Sequence, residues 1–359
     1  MLDKQLSNIL GSAEFSIRYR VDNKELWGET FNKLFYKPVA YSNWSLDYQF
    51  AYQCGHGGQW QDISFIIYWS NKPVALWPLS LSHKEGQFNL TSQGLPVLPP
   101  IFIAESPIIS RKRIIKSCLN LAKEIAIAAD LNSWESGEPF VDSIGLSEWH
   151  TQSMANDAVC NLRHELYVDL QLDISEIKMN FRKSYKSLIV SGSKMWTVSV
   201  LDRYENNSVW QEFRNLHRKV SGRVTRSEET WDLHHQDIEH QRAILIWLMN
   251  SAGDMVGGGF FNFTSDEGLY AVAAYDRTLF DKPLGHVVQY RAIEEFKKRA
   301  IRWHKIGARP FYSNVPQPND KEIKIGEFKQ GFSTHTFPFY FLTHKILINN
   351  NGSQNNIAL

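Results

Sequence analysis

The pattern of apolar and polar positions is clearest between Ala243 and Gly307. An apolar run, Ala243–Met249, meets a turn at Ser251–Asp254. A second run, Val256–Phe263, carries three consecutive glycines and meets a turn at Ser265–Gly268. A third run is Leu269–Tyr275. Short turns between such runs predict two hairpins, hence three antiparallel strands. A polar loop, Asp276–Gly285, follows. Then apolar residues recur every three or four positions: Val287, Val288, Ala292, Ile293, Phe296, Ala300, Ile301 and Trp303. That spacing predicts one amphipathic helix over 286–304.

The same order of elements is legible in the first half. Lys24–Phe35 and Leu46–Gln53 are predicted helices. Asp62–Trp69 and Pro73–Leu81 flank a turn at Ser70–Lys72, and Phe88–Thr91 reads as a short strand. Arg111–Ala129 is a long helix that buries Ile114, Ile115, Cys118, Leu119, Ala122, Ile125, Ala126 and Ala129. Leu146–Ala155 is a further helix and Cys160–Leu170 a strand. The second half answers with helices over 208–220 and 227–240 before its three strands. The chain therefore divides near 171–180, into units of 1–175 and 176–348. The polar tail from Asn349 to Leu359 is expected to be disordered.

Composition narrows the class. At 359 residues there is room for two domains with sizeable cores. A net charge of +1 gives no global field toward nucleic acid or membrane. Cys54, Cys118 and Cys160 are far apart, with neither disulfide nor zinc spacing. The N-terminus lacks a basic start and a long apolar core, and no run of about 20 apolar residues occurs. These features predict a cytoplasmic protein with no membrane span and no metal.

Several segments, in order, carry a resemblance. FRKSYKSL (181–188) precedes WTVSVLDR. Then come VWQEFRNLHRKVSGR, TRSEETWDLHHQDI, the three strands with their loop and helix, and IGEFKQGFS (325–333). The strand–strand–strand–loop–helix centre resembles the GNAT superfamily of N-acetyltransferases. The whole series is similar to its FemAB-like branch, over about residues 175–345. That branch includes aminoacyl-tRNA-dependent transferases of peptidoglycan bridges and acyltransferases of bacterial surface polysaccharides. The resemblance implies an α/β (α+β) fold of tandem GNAT-like domains, each a mixed, largely antiparallel sheet flanked by helices.

The resemblance also implies site residues. The loop before the long helix cradles a carrier's pyrophosphate in GNAT proteins, which points to Arg277, Lys282 and Gly285 as donor-binding. Gly257, Gly258 and Gly259 are expected on a strand that splays from its neighbour and pairs with the carrier's pantetheine. Glycines there equally suit a bulge. Lys329 matches a lysine placed near the acceptor's phosphates; by position alone it is also a plain surface lysine. Arg223 and Arg226, beside a helix start, can grip a carboxylate or phosphate of the acceptor. Tyr275, Asp276 and His286 flank the loop as catalytic candidates. Tyr275 offers a hydroxyl to an oxyanion or leaving group, and His286 a base near neutral pH. Trp44, Tyr48, Tyr52 and Trp60 form an aromatic group suited to a sugar ring.

The expected activity is N-acyl transfer from an activated carrier to an amine of a sugar nucleotide or other cell-surface glycan precursor. No cofactor is expected to be tightly bound. Acyl-CoA or acyl carrier protein is the favoured donor. The long helical hairpin that several tRNA-using relatives carry has no counterpart here, so tRNA is less favoured. The alternatives are an aminoacyl-tRNA-dependent peptidoglycan-bridge transferase and a non-catalytic binding module of the same fold.

Overall fold

The computed structural model describes residues 2–142, 145–203 and 207–346; the tail expected to be disordered, 349–359, lies outside them. The first half opens with α1 (Leu2–Gly11), β1 (Ser16–Tyr19), α2 (Lys24–Asn32) and α3 (Asn43–Cys54). One long hairpin follows, each arm broken once. β2 (Gln59–Asp62) runs into β3 (Phe65–Trp69), and β4 (Lys72–Trp77) into β5 (Ser80–Lys84). Its turn places both Ser70 and Asn71 at positive φ, 50° and 62°, the geometry that matches strand twist in a two-residue loop. β6 (Gln87–Thr91), β7 (Ile101–Phe102), α4 (Ile108–Ala128), β8 (Ser133–Glu138), α5 (Glu148–Ala155) and β9 (Val159–Asp169) complete the half. α4 buries its predicted face against this half's core.

The second half begins with α6 (Ile174–Asn180), α7 (Lys183–Met195) and β10 (Thr197–Leu201). α8 (Asn207–Ser221) and α9 (Glu228–Glu239) precede β11 (Ala243–Met249), β12 (Met255–Phe263) and β13 (Glu267–Tyr275). α10 (Leu284–Lys298), β14 (Trp303–Ala308), α11 (Asp320–Gln330) and β15 (His335–Lys345) close the chain. Ser227 caps α9, its Oγ accepting from the Thr230 amide. The two hairpins β11–β12–β13 lie where the pattern places them. No described helix is long and apolar enough to cross a membrane.

The predicted 286–304 helix is corrected at its end. α10 stops at Lys298, Ala300 takes φ +55°, and the chain turns into β14. β8 and β15 are also strands that the pattern did not predict.

Eight strands form one sheet, in the order β10-β11-β12-β13-β14-β9-β15-β8. Two short sheets, β1-β3-β4-β7 and β2-β5-β6, belong to the first half. The expected boundary at 175/176 follows β9 in the chain. In the sheet, however, β9 pairs with β14 on one side and β15 on the other, while β15 also pairs with β8. Each half thus places its last strand beside the other half's penultimate one. The two last strands, β9 and β15, run antiparallel to each other from His335 opposite Tyr167 to Thr343 opposite Val159.

Candidate functional site

β13 and β14 are parallel neighbours only over Glu267–Leu269 and Trp303–Lys305. Beyond that they part. Two bulges mark the parting. On β13, Phe260 faces Val272 and Phe261 faces Tyr270, which leaves Ala271 unpaired. On β14, the register against β9 shifts between Lys305 and Gly307 and skips Ile306. Bulges bend strands and re-aim side chains. Past Leu269, β14 gives the edge of β13 no partner, so the backbone groups between Tyr270 and Tyr275 that point away from β12 face a gap.

Lys329 enters this gap from α11, whose start is fixed by a capping box of Asn319 and Glu322. Its ammonium lies 5.5 Å from the centre of the Tyr270 ring. Gly307, at φ +126°, leaves it room: a Cβ there would fall 2.6 Å from Lys329 Nζ. The lysine is half-buried and makes no ion pair or hydrogen bond to a described residue. Burial, and then the charge of Lys305, hold its pKa below the usual lysine range. Lys305 itself is paired with Glu165 at 2.7 Å. Lys329 is therefore not the surface lysine its position in sequence suggests. It is a cation without a counter-ion, aimed between two strands.

A buried polar chain borders the gap. The Tyr275 and Tyr270 hydroxyls are 3.1 Å apart, with the Gln289 side chain beside Tyr270. Gln289 lies 3.3 Å from His304 Nε2, and His304 Nδ1 lies 3.2 Å from the Gly268 carbonyl. Burial pushes His304 down to about 4, so the ring is neutral and one nitrogen must accept. Nδ1–H donates to Gly268, which leaves Nε2 as the acceptor. The Gln289 amide must then turn its nitrogen to His304, which also gives that buried nitrogen its missing partner. Burial, with Tyr270 beside it, keeps the Tyr275 phenol protonated. Gly285 lies against this group: a Cβ would sit 3.0 Å from Phe328 and 3.6 Å from Tyr275.

Other predicted residues lie elsewhere or act differently. Gly257–Gly259 are interior to β12, which pairs with β11 and β13 along both edges. The strand that parts from its neighbour is β13. The glycines instead admit neighbours, for Cβ atoms there would meet Tyr275 at 2.7 Å, Phe213 at 3.1 Å and Val288 at 2.8 Å. His286 packs edge-on against Tyr185 at 4.5 Å. Burial, then the charge of Arg182, lowers it to about 4, so it is not the base near neutrality that was expected. Asp276 accepts from the amide and hydroxyl of Thr278 and holds a short turn. Arg277 is exposed, and Lys282 pairs with Asp281 at 2.8 Å. Arg223 sits in an exposed basic hollow with Arg218 and Lys219, apart from Arg226.

Arg226 lies in a cavity of about 320 Å³ between the halves. α3 supplies Trp44, Tyr48 and Tyr52; α9 supplies His234 and Asp237; Asn262, Tyr270 and Ala271 form the floor. Trp60 is not among its lining residues. Arg226 Nε donates to the Tyr48 hydroxyl at 3.0 Å, and its guanidinium covers the Tyr52 and Trp231 rings. The unpaired bulge residue Ala271 thus belongs both to this cavity and to the strand that opens the gap. Sequence reasoning did not single out His234, Asp237, Asn262, Tyr270, Lys305 or Gly307. No local pattern marks them, since only the sheet and its bulges bring them together.

No protein-family model matches the chain, and no curated protein matches its sequence. Among solved structures, the fold is similar to that of FemX, with TM-score 0.65 at 12% identity over 92% of this chain and 97% of that one. A conserved protein of unknown function from Bacteroides thetaiotaomicron VPI-5482 superposes with TM-score 0.55 at 10% identity, over 93% of this chain and 100% of that one. At these identities the likeness is one of fold. It agrees with the mixed α/β fold that the ordered segments predict.

Proposed function

We propose that this chain is an acyltransferase that moves an acyl or aminoacyl group from an activated carrier to an amine. One observation carries the reading: an unpaired ammonium, Lys329, faces the open edge of β13 where the sheet parts. The extended arm of a carrier pairs with that edge and brings its acyl carbonyl beside Lys329. The ammonium then stabilises the oxyanion as the amine attacks, in a half-buried site where such charge is worth more than in water. Tyr275, kept protonated, offers its hydroxyl to the leaving atom. The acceptor enters from the cavity between the halves, its anionic group held by Arg226 and its ring against Trp44 and Tyr52. A sugar nucleotide bearing an amine fits that lining, and acyl-CoA or acyl carrier protein is the favoured donor.

The decisive experiment offers acetyl-CoA, acyl carrier protein thioesters and aminoacyl-tRNA in turn with UDP-amino sugars, followed by mass spectrometry. A new amide on the sugar supports the reading; intact acceptor with every donor rejects it. Arg226→Ala should raise the acceptor KM by ten-fold or more and leave the donor KM unchanged, because one charge-assisted contact contributes about 1.5–3 kcal/mol. An unchanged acceptor KM would remove Arg226 from the acceptor site. Gly307→Ala should displace the Lys329 ammonium and lower kcat by about 10²-fold, the scale of a 1 Å misplacement. Full turnover in that variant would show that the position of Nζ is immaterial.

One observation favours a second donor. Arg218, Lys219 and Arg223 line a hollow on α8, and Lys219 Nζ reaches Asp276 at 3.3 Å, just before the loop that leads to α10. A polyanionic carrier such as aminoacyl-tRNA can lie there. Its binding would weaken steeply with salt, whereas that of a carrier protein thioester would weaken less.

A further inference from the structure

His234 and Asp237 are one turn apart on α9, and both line the cavity between the halves. His234 is 2% exposed, yet neither ring nitrogen has a hydrogen-bond partner. Its ring stacks on Tyr48 at 3.8 Å and leans on Phe260 at 4.3 Å. Asp237 Oδ2 stands 3.9 Å from His234 Nδ1, too far for a hydrogen bond. That oxygen instead accepts from the Asn262 amide at 3.2 Å. Oδ1 makes no hydrogen bond; Arg242 Nε is 3.7 Å away. A carboxylate oxygen with no side-chain hydrogen bond and a buried imidazole with both nitrogens unmet thus lie beside one cavity. Buried polar groups are almost always satisfied, so this pair calls for a ligand with its own donors and acceptors.

We infer that Asp237 takes the proton from the acceptor's amine and that His234 hydrogen-bonds a neighbouring hydroxyl or amide of the same molecule. The inference rests on the transfer reading above, to which it adds the base. The cavity runs from Asp237 and Asn262 to Tyr270 and Ala271, where β13 and β14 part. An amine held at Asp237 therefore lies on the approach to the acyl carbonyl. The groups that face Asp237 are Arg242, Asp47 and Tyr48, with His234 from its own helix, while Arg226 faces His234 across the same cavity. Burial raises its carboxyl to about 7, against the pull of Arg242 and Asn262. A base balanced near neutral pH suits an ammonium acceptor. His234, pushed down by burial and by Arg226, stays neutral and offers one donor and one acceptor.

The ammonium gives one proton to the Asp237 carboxylate. The freed lone pair forms the C–N bond, and the carbonyl π pair moves onto oxygen beside Lys329. Collapse breaks the bond between the acyl carbon and the carrier's sulfur or oxygen. The departing atom takes the second amine proton, and Asp237 releases the first to solvent. Amide and free carrier result, with one proton released.

The test uses the whole protein, acetyl-CoA and UDP-glucosamine, with kcat/KM followed from pH 5 to pH 9. In the wild type, kcat/KM should rise through an ionisation near 7, that of Asp237, and fall through that of the amine. Asp237→Asn, which can keep the Asn262 contact, should lose the limb near 7 and about 10²–10⁴-fold in kcat. Acetyl-CoA affinity should not move. Asp237→Ala should regain part of its rate in formate, which a purely structural carboxylate would not show. An Asn variant with wild-type rate and both limbs, or no formate rescue, overturns the base assignment while transfer stands. Absence of transfer and of acetyl-CoA binding in the wild type overturns both readings.

Discussion

Lys329→Ala should lower kcat by about 10²–10³-fold, the usual cost of one oxyanion-stabilising donor, and leave the acceptor KM nearly unchanged. The resemblance alone would place the effect on acceptor phosphate. The geometry shifts the expectation, because Nζ points between β13 and β14, 5.5 Å from the Tyr270 ring. Arginine at this position should restore little. Gly307 leaves space for an ammonium and nothing larger, since even a methyl there would come within 2.6 Å of Nζ, and a guanidinium is broader. Lys329→Met should be as inactive as the alanine variant yet melt higher than wild type. The half-buried charge has no counter-ion among the described residues, and its depressed pKa records that cost. Activity lost with stability gained is the trade expected of a group held for chemistry. A drop in Tm for Lys329→Met, with kcat unchanged, would reduce Lys329 to a packing residue.

Acidification should destabilise the fold steeply between pH 6.5 and pH 4, with His304 a main contributor. Its folded value is about 4 against 6.5 when free. Between those values the unfolded chain binds a proton that the folded chain refuses. The stabilisation is therefore present above pH 6.5 and is lost as pH falls through 4. For this fully buried ring the loss between pH 7 and pH 5 is about 2 kcal/mol. His344, also near 4, acts in the same direction. Asp237 acts oppositely, since its raised value stabilises the fold at low pH and that stabilisation fades as pH rises toward 7. Urea unfolding of wild type and His304→Gln at pH 7 and pH 5 isolates the histidine. The variant should lose less stability than wild type across that interval. Equal losses would mean that His304 is free to protonate in the folded state.

The strands that hold the candidate site were only partly legible. β11, β12, β13 and the loop before α10 follow directly from alternation and turn residues. β14 does not. Ile301 and Trp303 extend the spacing of α10, and only the left-handed Ala300 breaks it. β15 carries Pro338, which argues against a central strand. The sheet tolerates it because β8 meets β15 only from Tyr340 onward, so Pro338 pairs with β9 alone. β8, SWESGE, looks too polar for a strand, yet Trp134, Ser136 and Glu138 are all buried. Arg226, Tyr275 and Gly285 were nameable because they flank recognisable turns. Asp237 and His234 were not, for their partners Asn262 and Tyr48 stand 25 and 186 residues away. The glycines of β12 were conspicuous but misplaced in role. Their function is close packing, and that is visible only once Val288 and Phe213 are in position.

The exchange of β9 and β15 dictates an order of assembly on the ribosome. β9 cannot settle when it emerges, because β14, one of its two neighbours, begins 134 residues beyond its end, and β15, the other, lies further still. β8 waits longer, for its partner is the last strand of all. During synthesis the first half therefore holds two strands with unmatched edges, the kind of surface that recruits other chains. A nascent chain stalled near 175 should be a chaperone client, and a fragment ending there should aggregate. Only the arrival of β15 completes the pairing of β8 and β9, so the gap beside β14 is fully framed only after both halves have been made.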